Sequence, residues 1–145
     1  MGKCVTRDGV HGYVVRDLVF TLDGKGLLSA SWDKMVIHIS TQDSAGGLTE
    51  ISRSKWVAYS SSHVLSCPVL QGFAYAVSVS PGNWIASGSW DKNVRIWNAH
   101  TADLQCILQC KGSVWSVDFS PSCVGNYLTV ADGDGQVTIW NYTSL

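Results

Sequence analysis

The stretch Ser87-Gly-Ser-Trp-Asp-Lys92, followed by Val94-Arg-Ile-Trp97, decides the fold because it joins two informative patterns. Ser, Gly and Asp are typical of tight turns, since Gly tolerates unusual backbone angles and Ser and Asp hydrogen-bond nearby backbone groups. The residues that follow alternate between apolar and polar, as in a half-buried β-strand. The stretch therefore predicts a strand, an Asp-centred turn and a second strand.

The same pattern occurs three times along the chain. Ser29-Ala-Ser-Trp-Asp-Lys34 precedes Val36-Ile-His-Ile39, and Val130-Ala-Asp-Gly-Asp-Gly135 precedes Val137-Thr-Ile-Trp140. A second apolar signature lies upstream of each copy: Val15-x-x-Leu18-x-Phe20, Ala74-x-x-Val77-x-Val79 and Val114-x-x-Val117-x-Phe119. Each unit thus predicts three strands joined by two turns, with a possible fourth strand such as Leu104 to Cys110.

The spacing of the turn Asp residues sets the size of the units. Asp91 and Asp134 are 43 residues apart, whereas Asp33 and Asp91 are 58 apart. The first unit therefore carries an insertion of about 15 residues, which we place within the Ser- and Gly-rich residues 41–66 as a surface loop. One domain spans residues 1–145, and its predicted units cover about residues 10–66, 67–109 and 110–145.

Composition supports an all-β fold. The 145 residues suit one domain, and 46% hydrophobic against 14% charged residues supplies a core and argues against disorder. Ten of the eleven acidic residues are Asp, and only Glu50 is Glu. Helices are disfavoured by a chain rich in Asp, Gly, Ser and Val, whereas strands with tight turns suit it.

Charge and hydropathy exclude two classes of partner. The formal net charge is −1, and the ten basic residues are scattered, so no patch for direct nucleic-acid binding is expected. No apolar run approaches the roughly 20 residues of a membrane span, and no signal peptide is apparent. We therefore expect the protein in the nucleus or the cytoplasm, without membrane contact.

Catalytic and metal-binding motifs are not apparent. The five cysteines lack C-x-x-C spacing, and Cys106 and Cys110 on one predicted strand would lie about 13 Å apart, too far to share a metal ion. His38 occupies a core-facing position. No nucleophile with a base and an orienting partner can be assembled, and a chain with one Glu is poorly supplied with carboxylates for a hydrolase. We predict no enzyme activity and no cofactor.

From about residue 10 to residue 143, the repeats resemble the WD-repeat family of β-propellers. The resemblance implies three blades, each a four-stranded antiparallel sheet, in a partial, open propeller. In this family a His before the first strand, a Ser or Thr in the second, an Asp in the turn and a Trp in the third form one hydrogen-bonded network. The residues carried over to that structural network are His11, Ser29, Asp33, Ser87, Asp91, Trp97, Asp134 and Trp140.

The network is degraded in every unit. The first unit has Ile39 at the Trp position, and the other two have Leu70 and Cys110 at the His position. A buried Asp needs several donors, so fewer partners predict modest stability.

Three blades are fewer than the four to eight of usual propellers. Three explanations stay open: a truncated gene product, which we prefer, a three-blade unit that assembles with further copies through its open blade edges, or a piece of a longer protein.

A narrower resemblance concerns the stretch from Ser116 to Tyr142. It is similar to the last blades of the fungal Tup-type (Groucho-like) transcriptional corepressors. The resemblance implies a non-enzymatic protein-interaction scaffold that holds DNA-bound regulators and does not itself touch DNA. The alternative is an effector-sensing WD-repeat array of a fungal receptor or signalling protein.

The family's geometry also implies where partners bind. The predicted protein-binding residues lie where inner strands emerge at the top face or just before the turn Asp: Arg16, Trp32, Tyr75, Trp90 and Trp115. Trp, Tyr and Arg are enriched among binding hot spots. We expect these side chains to form one patch that holds a peptide segment of a partner protein. In the alternative, Tyr75 and Trp115 merely continue the core-facing alternation of their strands.

Overall fold

A computed structural model describes residues 9–40, 52–54, 72–101, 103–121 and 124–143. Within these residues the chain forms three antiparallel sheets, here called blades 1, 2 and 3. Blade 1 contains β1 (Val15–Phe20), β2 (Gly26–Ser31), β3 (Val36–Ser40) and β4 (Ser52–Ser54). Blade 2 contains β5 (Ala74–Val79), β6 (Trp84–Ser89), β7 (Asn93–Asn98) and β8 (Leu104–Gln109). Blade 3 contains β9 (Val114–Phe119), β10 (Tyr127–Asp132) and β11 (Val137–Asn141).

The prediction of an all-β, three-blade architecture is confirmed. Blades 1 and 2 have four strands, whereas the described part of blade 3 has three rather than the expected four. Of the predicted insertion at residues 41–66, all but β4 lies outside the described residues. In the part of the chain that the structure describes, no helix is long and apolar enough to cross a membrane.

The Asp-centred turns join the second and third strands of each blade. In blade 1, the Lys34 N–H donates to the Ser31 carbonyl, which closes a tight turn. Asp33 then stabilises the turn, because its Oδ1 accepts the N–H of Met35 at 3.0 Å. Lys34 and Lys92 adopt a φ of +67°, and Gly135 holds the matching position in blade 3 at +79°. A turn followed by one left-handed residue suits the twist of a short hairpin.

The blades pack face to face, so the core lies between them. The inner strands β1, β5 and β9 lie side by side with β5 in the middle. Between blades 1 and 2 the buried side chains include Leu28, Val36, Val77 and Ile85. Between blades 2 and 3 they include Ala86, Val94, Ile96, Val117, Phe119 and Leu128. Blade 2 is therefore the one blade whose two faces are both covered within the described residues.

A cavity of about 330 Å³ lies between blades 1 and 2. Its lining includes His38, Asp23, Lys25 and His100. His38 stands where the other two blades carry Ile, so a titratable ring occupies a core-facing position. Burial lowers the pKa of His38 below its usual value of 6.5, while the negative charge of Asp23 opposes that shift.

This lowered pKa predicts that acid destabilises the fold. Below pH 6.5 the unfolded chain binds a proton at His38 that the folded chain resists, so the free energy of unfolding falls as the pH falls. His38→Gln removes this titration. We expect the melting temperature of wild type to drop more than that of His38→Gln between pH 7.5 and pH 5.5.

His100→Gln supplies the matched control, because His100 lines the same cavity but is exposed. It should keep the pH dependence of wild type. Equal pH slopes for wild type and both variants would contradict the assignment of the acid sensitivity to His38.

Candidate functional site

Each inner strand carries a β-bulge at its start. In β5, Ala74 pairs with Ser89 and Ala76 pairs with Gly88, which leaves Tyr75 as the extra residue. The register shifts of β1 and β9 leave Arg16 and Trp115 at the same position. A bulge interrupts the alternation of side chains and can re-aim one of them. The three bulge residues are therefore released from the core-facing alternation of their strands.

The turn residue before each Asp is attached to the same end of the blade. The N–H of Trp32 donates to the Val14 carbonyl, and that of Trp90 donates to the Phe73 carbonyl at 2.9 Å. Gly133 donates in the same way to Ser113 at 2.7 Å. These bonds hold the turn beside the start of the inner strand. Bulge residues and turn residues thus share one rim of the molecule.

At this rim, side chains from all three blades make one continuous cluster, here called the rim patch. Its members are Arg16, Trp32, Phe73, Tyr75, Trp90 and Trp115. Tyr75 lies at its centre, with its ring centroid 4.8 Å from that of Trp115 and 5.9 Å from that of Trp90. Trp32 lies 6.2 Å from Tyr75 and 5.5 Å from Phe73. All five residues predicted to bind partners therefore lie together.

The rim patch presents aromatic surface and one positive charge to solvent. Trp90 is 49% and Trp115 46% exposed, whereas Tyr75 is buried among the surrounding rings. The exposed guanidinium of Arg16 lies 5.8 Å from the ring centroid of Trp32 and 5.6 Å from that of Tyr75. Such cation–π contacts hold the charge over the rings.

Phe73 was not among the predicted binding residues. It is exposed at the rim and packs on Trp32. Its position directly before β5 was the available signal, but Val14 and Ser113 occupy that position in the other blades. The repeat pattern therefore gave no reason to single it out.

Below the rim, the turn network of blade 1 uses His11. One ring nitrogen, Nδ1, lies 2.8 Å from the carboxylate of Asp33, and the other, Nε2, lies 2.6 Å from the hydroxyl of Ser29. Ser29 in turn donates to the Ile37 carbonyl, and Asp33 also accepts the N–H of Gly12. This set ties the segment before β1 to the turn.

In blade 2 an arginine takes over the role of the missing histidine, because it donates hydrogen bonds to the turn Asp. Arg95, from β7, is almost fully buried and makes a two-pronged ion pair with Asp91, at 3.2 and 2.9 Å. Ser87 is not part of that pair. It accepts the indole N–H of Trp97 at 3.0 Å. Among the described residues, Asp91 thus contacts Arg95, and Ser87 contacts Trp97.

In blade 3 the carboxylate that accepts backbone N–H groups is that of Asp132. Asp132 accepts from Gly112, Asp134 and Gln136, and these bonds lower the pKa of its carboxyl group. Asp134 lies exposed beside it. Among the residues that the structure describes, the buried indole N–H of Trp140 has no hydrogen-bond acceptor, because Val130 stands where Ser87 accepts from Trp97 in blade 2.

Cys106 and Cys110 are half-buried free thiols. Burial raises the pKa of both thiols, and the charge of Asp132 adds to the shift at Cys110. Both therefore stay protonated near neutral pH, where a thiol is a weak nucleophile. Within the described ranges, no three His, Cys, Asp or Glu side chains lie together as metal ligands would.

Comparison with protein families matches the chain to the family described as "WD domain, G-beta repeat". The match covers residues 2–39, 59–98 and 104–141, which is most of the chain. Among solved structures, the "WD40 beta propeller domain of Doa1" superposes with a TM-score of 0.66 and 23% identity, covering 94% of this chain and 39% of that one.

Three curated fungal proteins illustrate the range of relatives. "Protein transport protein sec13" of Emericella nidulans is 37% identical over 71 residues, 46% of this chain and 22% of its own length. "Nuclear distribution protein PAC1-2" of Uncinocarpus reesii is 29% identical over 97% of this chain and 31% of its own length. "Transcriptional repressor rco-1" of Neurospora crassa is 36% identical over 50% of this chain and 13% of its own length. The chain thus spans less than a third of each of these relatives.

Substitution of the turn Asp should cost much more stability in blade 2 than in blade 3. Asp91→Ala leaves the buried Arg95 charge without its carboxylate, which costs about 3 kcal/mol of unfolding free energy. Asp134→Ala removes an exposed side chain, and we expect a change below about 0.5 kcal/mol. Chemical denaturation of both variants measures the difference. Equal losses in the two variants would show that Arg95 does not depend on Asp91.

Proposed function

The chain belongs to the WD-repeat family, and from this premise we propose that it is a non-enzymatic scaffold that binds a peptide segment of a partner protein on its rim patch. Protein-interaction scaffolds are the general role of WD repeats. The location of the binding surface and the nature of the partner are the new parts of the proposal.

One observation carries the choice of surface: three separate blades contribute to one aromatic cluster that solvent reaches. Trp90 and Trp115 are each about half exposed, although tryptophan side chains are usually mostly buried in stable domains. Large aromatic side chains bury much area on binding and lose little conformational entropy. Arg16 adds a positive charge at one end of the cluster. The rim patch therefore suits a partner segment with apolar side chains and a carboxylate.

The turn networks also support the choice of the rim patch as the binding surface. None of the exposed side chains of the rim patch is a member of the His11, Asp91 or Asp132 networks. Their removal should therefore leave the turns intact. A surface whose residues are not needed for folding is free to serve binding.

We further propose that the partners are DNA-bound regulators, as for the Tup-type corepressors. The similarity of Ser116–Tyr142 to those proteins and the likeness to "Transcriptional repressor rco-1" support this proposal. A nuclear or cytoplasmic location fits it. The relatives in transport and nuclear distribution have other printed roles, so the partner's identity is the deciding measurement.

Trp90→Ala and Trp115→Ala test the surface. Each removes a half-exposed ring from the rim patch, and we expect binding of a captured partner to weaken about tenfold, or roughly 1.4 kcal/mol. The partner is first identified by affinity capture with the wild-type chain. Its affinity for each variant is then measured by titration calorimetry, together with the melting temperature of each variant.

Ile107→Ala is the matched control, because Ile107 is also partly exposed but lies on β8, the outermost strand of the same blade. It should bind like wild type. Loss of binding in all three variants, or unchanged binding in both Trp variants, would reject the rim patch. Captured partners that include no DNA-binding regulator would reject the corepressor assignment and leave the rim patch to be judged separately.

A further inference from the structure

Within the described residues, two apolar blade faces are left without a neighbouring sheet. On blade 3, Val137 is 76% and Ile139 65% exposed. On blade 1, Leu18 is 60% and Phe20 68% exposed. Large apolar side chains on the face of a sheet are normally buried.

The same strand positions are buried where the chain covers them itself. Val94 and Ile96 of β7 correspond in register to Val137 and Ile139 of β11, and both are fully buried against blade 3. Val117 and Phe119 of β9 correspond to Leu18 and Phe20 of β1, and both are buried against blade 2. The two open faces are therefore the two complementary halves of the interface that blades 2 and 3 already make.

A hydrogen bond between blades 2 and 3 also has a matching donor and acceptor on the two open faces. Ser78 on β5 accepts the outward-pointing N–H of Phe119 on β9 at 3.2 Å, and it donates to the carboxylate of Asp118. In register, Asp118 holds the position of Ser78, and Phe20 holds that of Phe119. The open face of blade 3 thus offers an acceptor, and the open face of blade 1 offers an N–H donor.

We propose that two copies of this chain close on each other, blade 3 of each against blade 1 of the other, into a ring of six blades. Six lies within the usual range for propellers. Each head-to-tail contact repeats the contact between blades 2 and 3, and two such contacts close under twofold symmetry. Val137 and Ile139 of one copy pack on Leu18 and Phe20 of the other, and Asp118 accepts the Phe20 N–H.

The ring would also extend the rim patch. Within the chain, the bulge residue of each blade contacts the turn tryptophan of the preceding blade: Tyr75 contacts Trp32, and Trp115 contacts Trp90. By the same rule, Arg16 of the second copy lies beside Gly133 and near Trp115. The indole Nε1 of Trp115 lies 2.7 Å from where a Cβ of Gly133 would stand, so the Trp115 ring fills the space beside Gly133. This assembly is independent of the partner proposed above.

Light scattering coupled to gel filtration tests the ring with the full chain. We expect wild type to elute at twice the 15.7 kDa of one chain across micromolar concentrations. Ile139→Asp and Leu18→Asp each place a charge in one half of the contact. Both should shift to the monomer mass and stay folded, since both side chains are largely exposed within one chain.

Val124→Asp is the control, because Val124 is also exposed but lies in the loop before β10. It should keep the mass of the pair. Three outcomes would overturn the proposal: a wild-type monomer at every concentration, species larger than the pair, or a pair that survives both Ile139→Asp and Leu18→Asp.

Discussion

Face-to-face packing of one blade on the next is the constraint on which the rest of this structure depends. Each blade is a small antiparallel sheet with apolar side chains on both faces, so each face must be covered by another sheet. Blade 2 meets this requirement on both sides, through the clusters around Val77 and around Ile96. Its small residues support the close approach, because a side chain on Gly88 would collide with Val114 of the next blade.

The bulges bring side chains from all three stacked blades to one surface. Without a bulge, simple alternation would place Tyr75 and Trp115 on the core-facing side of their strands. The extra residue at the start of each inner strand instead brings the side chain to the rim, beside the turn that Trp90 occupies. Because all three blades have the bulge at the same place, their rim side chains come together without any long-range sequence signal.

Much of the fold was predictable from the sequence, since turn residues and alternating apolar runs report local geometry directly. The strands, the Asp-centred turns and the three-blade order follow from the repeats. The grouping of the five predicted rim residues also followed, through their common position in each unit. The bulges did not follow, because one unpaired residue changes neither composition nor spacing. Phe73 was not predicted as a rim residue for a related reason, since its position is not aromatic in the other blades.

The residues that form the turn networks were the least predictable part. The turn requires hydrogen-bond donors for a carboxylate, but it does not determine which residue supplies them. A carboxylate beside the turn must receive donors, and any donor that the fold brings within reach can serve. His11 reaches Asp33 from before β1, whereas Arg95 reaches Asp91 from β7.

In blade 3, two residues earlier in the same turn region, Asp132 receives backbone N–H groups, and Asp134 is left to solvent. Spacing alone aligned Asp134 with Asp33 and Asp91, because alignment counts residues and does not detect which carboxylate faces the donors. The repeat can therefore lose its most recognisable residues while its fold persists. What the blades share is a turn carboxylate that needs hydrogen-bond donors, and each blade supplies different ones: a histidine before β1, an arginine on β7, and backbone N–H groups in blade 3.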